Sequence, residues 1–251
     1  MAHKRQEIED LIFGVRAVIE AVEAGKEINK IMIQRGMNKT LFFELKEALA
    51  GKDFTLQFVP VEKLNRLTSK NHQGVIAFIS PVSYYDIHDV VTQIFEDGDI
   101  PNILILDRIT DVRNFGAIAR TAECSGVHAI IIPNKNSATI TSDAIKTSAG
   151  ALFSIPVCKV PNLAETASYL KSSGLKIISC TEKTDNFIFD ATFTGPTAII
   201  MGSEEDGISP ELLKISHQKV KIPLLGTIES YNVGVSTGIV LYEKMRQMIT
   251  E

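Results

Sequence analysis

Three short stretches concentrate groups that can do chemistry. IPLLGTIESYNVGVSTG (Ile222–Gly238) sets Gly226, Thr227, Glu229, Ser230 and Asn232 between a short apolar run and an amphipathic helix. A connection that only had to turn would use fewer and blander residues, so this is a candidate binding loop. MGSEEDG (Met201–Gly207) crowds Glu204, Glu205 and Asp206 directly behind an apolar strand. Acids there favour the positive end of a helix beginning at Pro210, with Ser209 as its cap. That reading leaves Gly202 and Gly207 unexplained. Glycine admits a close approach to the backbone, and a cationic ligand, a base or an orienting acid explains more of the charge. NFGAIAR (Asn114–Arg120) opens a helix with Asn114 as N-cap and with Gly116 and Ala117 allowing close packing. Arg120 lies about two turns along that helix, at one defined place on a small-residue surface.

Several chemistries are excluded by pattern. No GxGxxG follows a strand and no GxxxxGK[ST] is present, so the usual dinucleotide and phosphate loops are missing. The five histidines (His3, His72, His88, His128, His217) have no metal-ligand spacing, and no metal is expected. GVSTG (Gly234–Gly238) mimics a nucleophile elbow, but Ser236 falls inside a helical run and not on a strand-to-helix turn.

The elements that must position these loops alternate. In the first eighty residues helices are expected at GVRAVIEAVEAG, NKTLFFELKEALAG (N-cap Asn38) and PVEKLNRLT, and strands at KIMIQ, TLQFV and GVIAFI, a small α/β unit. Pro81, the acidic run Glu96–Asp99 and Pro101 punctuate the next twenty residues; the linker is placed near Ser80–Asp86, with a covering helix at Ile87–Phe95. Alternation restarts at Asn102. Apolar strands are expected at ILIL, AIII, VCKV, KIIS, TAIIM and VKIP, separated by helices at Phe115–Ser125, Ser142–Leu152, Leu163–Ser172, Pro210–Ser216 and Val233–Met248. Such runs are typical of parallel strands buried on both faces. In such sheets ligands sit beyond the carboxyl ends of the strands, where all three loops fall. The expected domains are 1–80, a linker and covering helix at 81–99, and 100–251.

Length and composition fit an ordinary globular protein: 251 residues, 45% apolar, 22% charged. No apolar run is long enough for a membrane span, and the charged N-terminus, MAHKRQEIEDLIFG, does not read as a secretion signal. Three scattered cysteines suggest reduced thiols in a cytoplasm. Net charge is −4, but residues 1–80 carry 12 Lys+Arg against 10 Asp+Glu, and residues 81–251 carry 14 against 20. A polyanion would be favoured on the N-terminal part, with Lys30, Arg35, Lys39, Arg66 and Lys70 as candidates.

Taken in order, the loops resemble the three signature motifs of the SpoU (TrmH-type) RNA ribose methyltransferases of the SPOUT superfamily. Asn114, Gly116, Ala117 and Arg120 match the first motif. Gly202, Glu204 and Gly207 match the second, and Ile222, Pro223, Gly226, Ser230, Asn232 and Val233 the third. FGVRAVIEAV and NHQGVIAFI are similar to the small ribosomal-protein-like RNA-binding domain of the two-domain members. The resemblance implies a parallel α/β domain with a deep trefoil knot and a homodimer packed through the knot, with residues of both chains near each active site. It also implies S-adenosyl-L-methionine bent in the knot. Ile222, Leu225, Tyr231 and Val233 would line the cofactor with Gly202 opposite. Asn114, Arg120, Glu204, Ser230 and Asn232 would form the catalytic set. Tyr231 stands where the family usually has leucine.

A ribose 2′-hydroxyl is a very weak acid and needs help to lose its proton. The family's motif-one arginine implies that role for Arg120. Because arginine stays protonated in most sites, holding a phosphate or stabilising the developing alkoxide is the alternative. Glu204 is expected to orient Arg120 or Asn114 through charge-assisted hydrogen bonds. The layout is most similar to members that methylate a guanosine ribose of large-subunit ribosomal RNA. The alternatives are a transfer-RNA ribose methylase and a non-catalytic RNA-binding or ribosome-assembly protein. An intact motif set argues against the last.

Overall fold

The alternation of apolar runs and amphipathic stretches builds two sheets in a computed structural model that describes residues 11–52 and 54–250. The charged start of the chain lies outside the described residues. The chain divides into two units, one holding residues up to 83 together with 139–142, the other residues 84–138 and 143–251.

In the first unit the elements run β1 (Leu11–Phe13), α1 (Val15–Glu23), β2 (Ile28–Gln34), α2 (Lys39–Leu49), β3 (Leu56–Val59), α3 (Val61–Leu67) and β4 (Val75–Ile79). The sheet order is β1-β4-β2-β3, with β1 and β2 antiparallel to β4 and β3 parallel to β2. The short β1 is the one strand here that periodicity missed; only three residues long, it is defined by pairing with β4. Asn38 does cap α2, its Oδ1 accepting from the amides of Thr40 and Leu41. NHQG is a structural turn. His72 Nδ1 accepts from Gly74 N, its Nε2 meets Asn65 Oδ1 at 2.8 Å, and Gln73 Oε1 accepts from the first amide of α1.

The second unit runs α4 (Ile87–Glu96), β5 (Asn102–Asp107), α5 (Val112–Cys124), β6 (Ala129–Pro133), α6 (Ser142–Thr147), β7 (Val157–Val160), α7 (Leu163–Ser172), β8 (Lys176–Cys180), β9 (Thr197–Gly202), α8 (Pro210–Ile215), β10 (Gln218–Val220) and α9 (Val233–Thr250). Its six strands are all parallel in the order β10-β8-β9-β5-β6-β7. Strands such as β5, with Ile103–Leu106 nearly inaccessible, are buried on both faces; each such side chain contributes about 1.5–3 kcal/mol relative to exposure. The helix α4 packs Ile87, Val91 and Ile94 into the core of this unit.

Three boundaries differ from the periodicity. The helix expected to reach Leu152 stops at Thr147, because Ala149 (φ 51°) and Gly150 (φ 89°) take left-handed backbone and a short 3-10 turn comes next. The strand expected at VKIP lies two residues earlier. After Val220 the backbone leaves β8, and Lys221 exchanges bonds with the Asn186–Ile188 segment (Lys221 N to Asn186 O 2.9 Å, Ile188 N to Lys221 O 2.9 Å). Asn114 is not the N-cap of α5: that helix starts at Val112 and is capped by Asp111, whose Oδ1 accepts from Asn114 N at 2.7 Å. Asn114 therefore sits in the first turn with its side chain free for other bonds. Among the described residues no helix is long and apolar enough to cross a membrane.

α9 is anchored from inside. Lys244, 1% exposed, donates to Phe193 O (3.0 Å), Gly195 O (3.3 Å) and Thr197 Oγ1 (3.1 Å). Burial, with a smaller contribution from the charge of Lys176, pushes its ammonium down to about 8. The folded protein therefore holds fewer protons than the unfolded chain between that pH and the ordinary lysine value, so stability rises with pH across the window. Relative to Lys244→Met, which does not titrate there, the wild-type urea midpoint should climb between pH 8 and about 10.5. Far-UV circular dichroism would follow the transition, and a constant difference across that range would contradict this.

Candidate active site

The strand register decides which loops meet. At the end of the β5–β9 ladder Asp107 is paired with Gly202, so the segments that leave these two strands start side by side. This is the switch point of the sheet, where the chain crosses from one side of β5 to the other. The ends of β8 and β10 lie on the same edge, Cys180 paired with both Met201 and Val220.

Gly202 has a backbone reason. A Cβ there would fall on the Gly207 carbonyl carbon and within 2.5 Å of Ile208 N. The loop after β9 folds back over its own start, with Ser203 bridged to Gly207. Any side chain at 202 would open that return. Gly116 has a similar cause, since a Cβ would sit 2.7 Å from Thr147 Cβ and would push α6 away.

A clamp that the motif reading did not name holds the returning loop. Buried Asp107 accepts from Ser209 N at 2.6 Å and from Arg108 Nε at 3.3 Å. Arg108 also donates to Asp206 Oδ2 (3.0 Å) and Gly207 O (3.0 Å). Ser209 does precede α8, but its side chain makes no capping bond; its amide serves the clamp instead. Arg108 takes a left-handed φ of 60°, a conformation that costs free energy in a non-glycine residue and that these contacts hold in place. The one visible sign in the sequence is a carboxylate closing a wholly apolar strand, ILILD.

The motif residues converge on one oxygen. Glu204 Oε1 accepts from Asn232 Nδ2 (2.7 Å), Asn114 Nδ2 (3.3 Å) and Val233 N (3.2 Å). Asn232 Nδ2 also reaches Asn114 Oδ1 at 3.0 Å. Asn232 Oδ1 accepts from Gly234 N at 2.9 Å, turning the chain into α9. Small residues let the two helices approach: Gly234 faces Ala117 and Gly238 faces Thr121. Arg120 is not part of this network. It is exposed on α5, and among the described residues no hydrogen bond or ion pair holds it. Glu204 thus orients Asn114 and not Arg120.

Beside this network lies a cavity of about 400 Å³ walled by the segments after β8, β9 and β10. Gly202, Glu204, Ile222, Ser230, Tyr231 and Val233 line it. Leu225 does not; its side chain is wholly exposed at 101%, and the adjacent Leu224 takes the lining position. Glu182 and Lys183, behind β8, and Ser236, in the first turn of α9, also line the cavity and were not singled out by the motifs. Five carboxylates (Glu182, Glu204, Glu205, Asp206, Glu229) against two lysines (Lys183, Lys221) make its wall acidic.

Fold and site together define an α/β protein with a mixed-sheet first domain and a six-stranded parallel second domain carrying a cavity at the carboxyl ends of β8, β9 and β10. The comparisons with known proteins agree. Residues 101–242 match the model of the SpoU rRNA Methylase family, and residues 11–85 that of the RNA 2′-O ribose methyltransferase substrate-binding domain. The chain is 36% identical over 239 residues to a Staphylococcus aureus protein assigned to the TrmH family of tRNA/rRNA methyltransferases, covering 94% of this chain and 96% of the relative. It is 34% identical over 241 residues to a Staphylococcus haemolyticus counterpart, covering 96% and 97%. The crystal structure of the SpoU methyltransferase AviRb from Streptomyces viridochromogenes with AdoMet matches with a TM-score of 0.62 at 23% identity, over all of both chains. A TrmH/SpoU tRNA modifying enzyme from A. aeolicus matches at 0.54 and 28%, over 59% of this chain and 75% of that one. The chain belongs to the SpoU/TrmH family of RNA 2′-O-ribose methyltransferases. It is an enzyme of that family, an RNA 2′-O-ribose methyltransferase.

Removing the shared acceptor tests the network. Glu204→Ala leaves three donors without it and lets Asn232 turn, so methyl transfer should fall about a hundredfold, the scale of a misplaced reacting group. Glu204→Gln keeps an acceptor oxygen without the charge and should lie between. Single-turnover rates at saturating RNA, with circular dichroism to verify folding, would show it. Equal rates for Glu204→Ala and wild type would remove Glu204 from the machinery.

Proposed function

We propose that this enzyme transfers the methyl group of S-adenosyl-L-methionine to a guanosine 2′-hydroxyl in large-subunit ribosomal RNA. The observation that carries the cofactor is the acidic cavity next to the Glu204–Asn114–Asn232 network. Its carboxylates suit a sulfonium cation, while Met201, Ile222, Tyr231 and Val233 supply an apolar wall for an adenine. Solved relatives with AdoMet bound, from Streptomyces viridochromogenes and Sinorhizobium meliloti, support the same ligand. Bound there, the cofactor supplies an electrophilic methyl. The loop after β9 returns over Gly202 through Gly207 and Ile208, and the stretch from there to α9 is read as the knotted region. The ribosomal target rests on the first domain and on the rRNA methylase family match. A transfer-RNA ribose is the competing substrate, since the curated relatives carry both.

Glu204 fixes Asn232 and Asn114 in one hydrogen-bonded group. Ser230, two residues before Asn232 and on the cavity wall, is the candidate to hold the ribose. Arg120, charged and held by no carboxylate among the described residues, is free to meet a phosphate or the developing alkoxide, which matches ordinary guanidinium chemistry better than proton abstraction. Arg120→Ala should lower methyl transfer about a hundredfold or more, with S-adenosylmethionine affinity by calorimetry nearly unchanged. Arg120→Lys should restore little, because a point charge does not replace a fork of donors. Near-wild-type turnover of Arg120→Ala on cognate RNA would return Arg120 to the role of a helix residue.

We also read the protein as a homodimer. On α9, Val235, Tyr242 and Ile249 are exposed at seven-residue spacing, one side of a helix, and Ile228 is exposed in the preceding loop. Exposed apolar side chains repeated along one side of a helix favour a partner surface. Sedimentation should give about twice 27.6 kDa. Tyr242→Asp should shift the protein toward monomer, and a wild-type monomer at micromolar concentration would exclude the dimer. The cytoplasm suits the three unpaired cysteines; burial pushes the thiols of Cys158 and Cys180 up to about 12, so both are inert.

A further inference from the structure

The first unit has two unlike faces. α1 and α2 pack on one side of its sheet through Val15, Val18, Val22, Leu45 and Leu49. The other side carries Met32, Ile76, Phe13 and Phe78 and is covered by the seven-residue α3 through Leu64 and Leu67. Strand alternation brings lysines to that second side. Lys30 is paired with Phe78 across the β2–β4 ladder, and its ammonium lies 4.4 Å from the Phe78 ring centre. Lys70 lies 5.6 Å from the Phe13 ring centre. Lys63 lies on α3, the helix that covers this side. Lys30 is held below the ordinary lysine range, first by burial and then by the charge of Lys63.

Acids are segregated away from this side. Of the acidic residues described in this unit, Glu20 and Glu23 lie on α1, Glu44 and Glu47 on α2, Glu27 precedes β2, and α3 carries Glu62 alone. Among the described residues none of the cations in positions 11–80 is in an ion pair, whereas every ion pair falls in the second unit. Like charges gathered on one side of a sheet repel in the free protein, and an anion bound among them relieves that repulsion. The rings fix two of the ammonium positions while leaving N–H groups for further acceptors.

We propose that the α3 side of the first unit's sheet is the surface that grips the RNA substrate, with Lys30, Lys63 and Lys70 contacting backbone phosphates. This rests on RNA being the substrate and adds where the first unit holds it. Phosphate contacts release counterions, so each one adds about 0.7–0.9 to the slope of log affinity against log salt. The full-length Lys30→Gln/Lys63→Gln/Lys70→Gln variant should therefore bind a large-subunit ribosomal RNA transcript about thirtyfold or more weakly near 0.1 M monovalent salt, with the slope reduced by about two. A control with the same charge change on the helical side, Arg16→Gln/Lys26→Gln/Lys46→Gln, should stay within about threefold of wild type, as expected of charges that touch no phosphate. Lys30→Arg/Lys63→Arg/Lys70→Arg keeps the charge and should restore most of the affinity, which separates phosphate contact from a folding defect. S-adenosylmethionine calorimetry on each variant, expected unchanged, reports the second unit independently. Unchanged RNA affinity and slope in the glutamine variant would overturn the proposal and favour another polyanion, such as an acidic protein, for this face. Equal losses in the control would overturn it too, showing diffuse charge. Wild-type protein that binds no RNA at any salt would sink both this proposal and the substrate reading beneath it.

Discussion

One carboxylate oxygen ties together segments that begin 90 and 28 residues from it. Glu204 Oε1 accepts from Asn114, Asn232 and the amide of Val233. Charge-assisted hydrogen bonds are worth roughly twice neutral ones, and three on a single acceptor set its direction tightly. The position of α9, the entry of the third loop and the side-chain amide of α5 all depend on it. Glu204 can hold this place because Gly202 admits the returning backbone and because the Asp107–Arg108 clamp pins Asp206, Gly207 and Ser209.

α9 is constrained at both ends. Its first turn is set by Asn232 and Glu204, and its last turns by Lys244 and Gln247, which bind the carbonyls and amide of the segment entering β9. That segment leads into the strand that carries Gly202. The helix therefore links the beginning and the end of one strand, and a shift at the buried lysine would be felt where the third loop meets the cavity. A lysine with three neutral acceptors and no carboxylate is costly to bury. Here the benefit is a fixed helix position.

The two units divide the charge as they divide the labour. The cavity wall of the second unit is acidic, which suits a cationic methyl donor and not a polyanion. The first unit keeps its described cations out of ion pairs, which leaves them for an external anion. A net charge of −4 hides this separation because it averages over both.

Much of this was legible from the residues in order. Apolar runs such as ILIL and TAIIM read as strands buried on both faces and are so in the fold, and α7 falls on the residues that periodicity marks. Motif residues far apart in sequence could be named because, taken in order, they resemble the three SpoU motifs. Tertiary structure alone decided the rest, because pairing register and backbone angles are long-range outcomes. Register placed Asp107 beside Gly202 and so created the clamp; a left-handed pair at Ala149 and Gly150 broke a helix that periodicity would continue. Asp111 displaced Asn114 as the cap and freed its amide for Glu204. Leu224, not Leu225, faces the cavity, because a loop has no periodicity from which to read direction. Lys30 and Lys63 come to one side of the sheet only once α3 packs over β2, which residues 33 positions apart cannot reveal until the chain has folded.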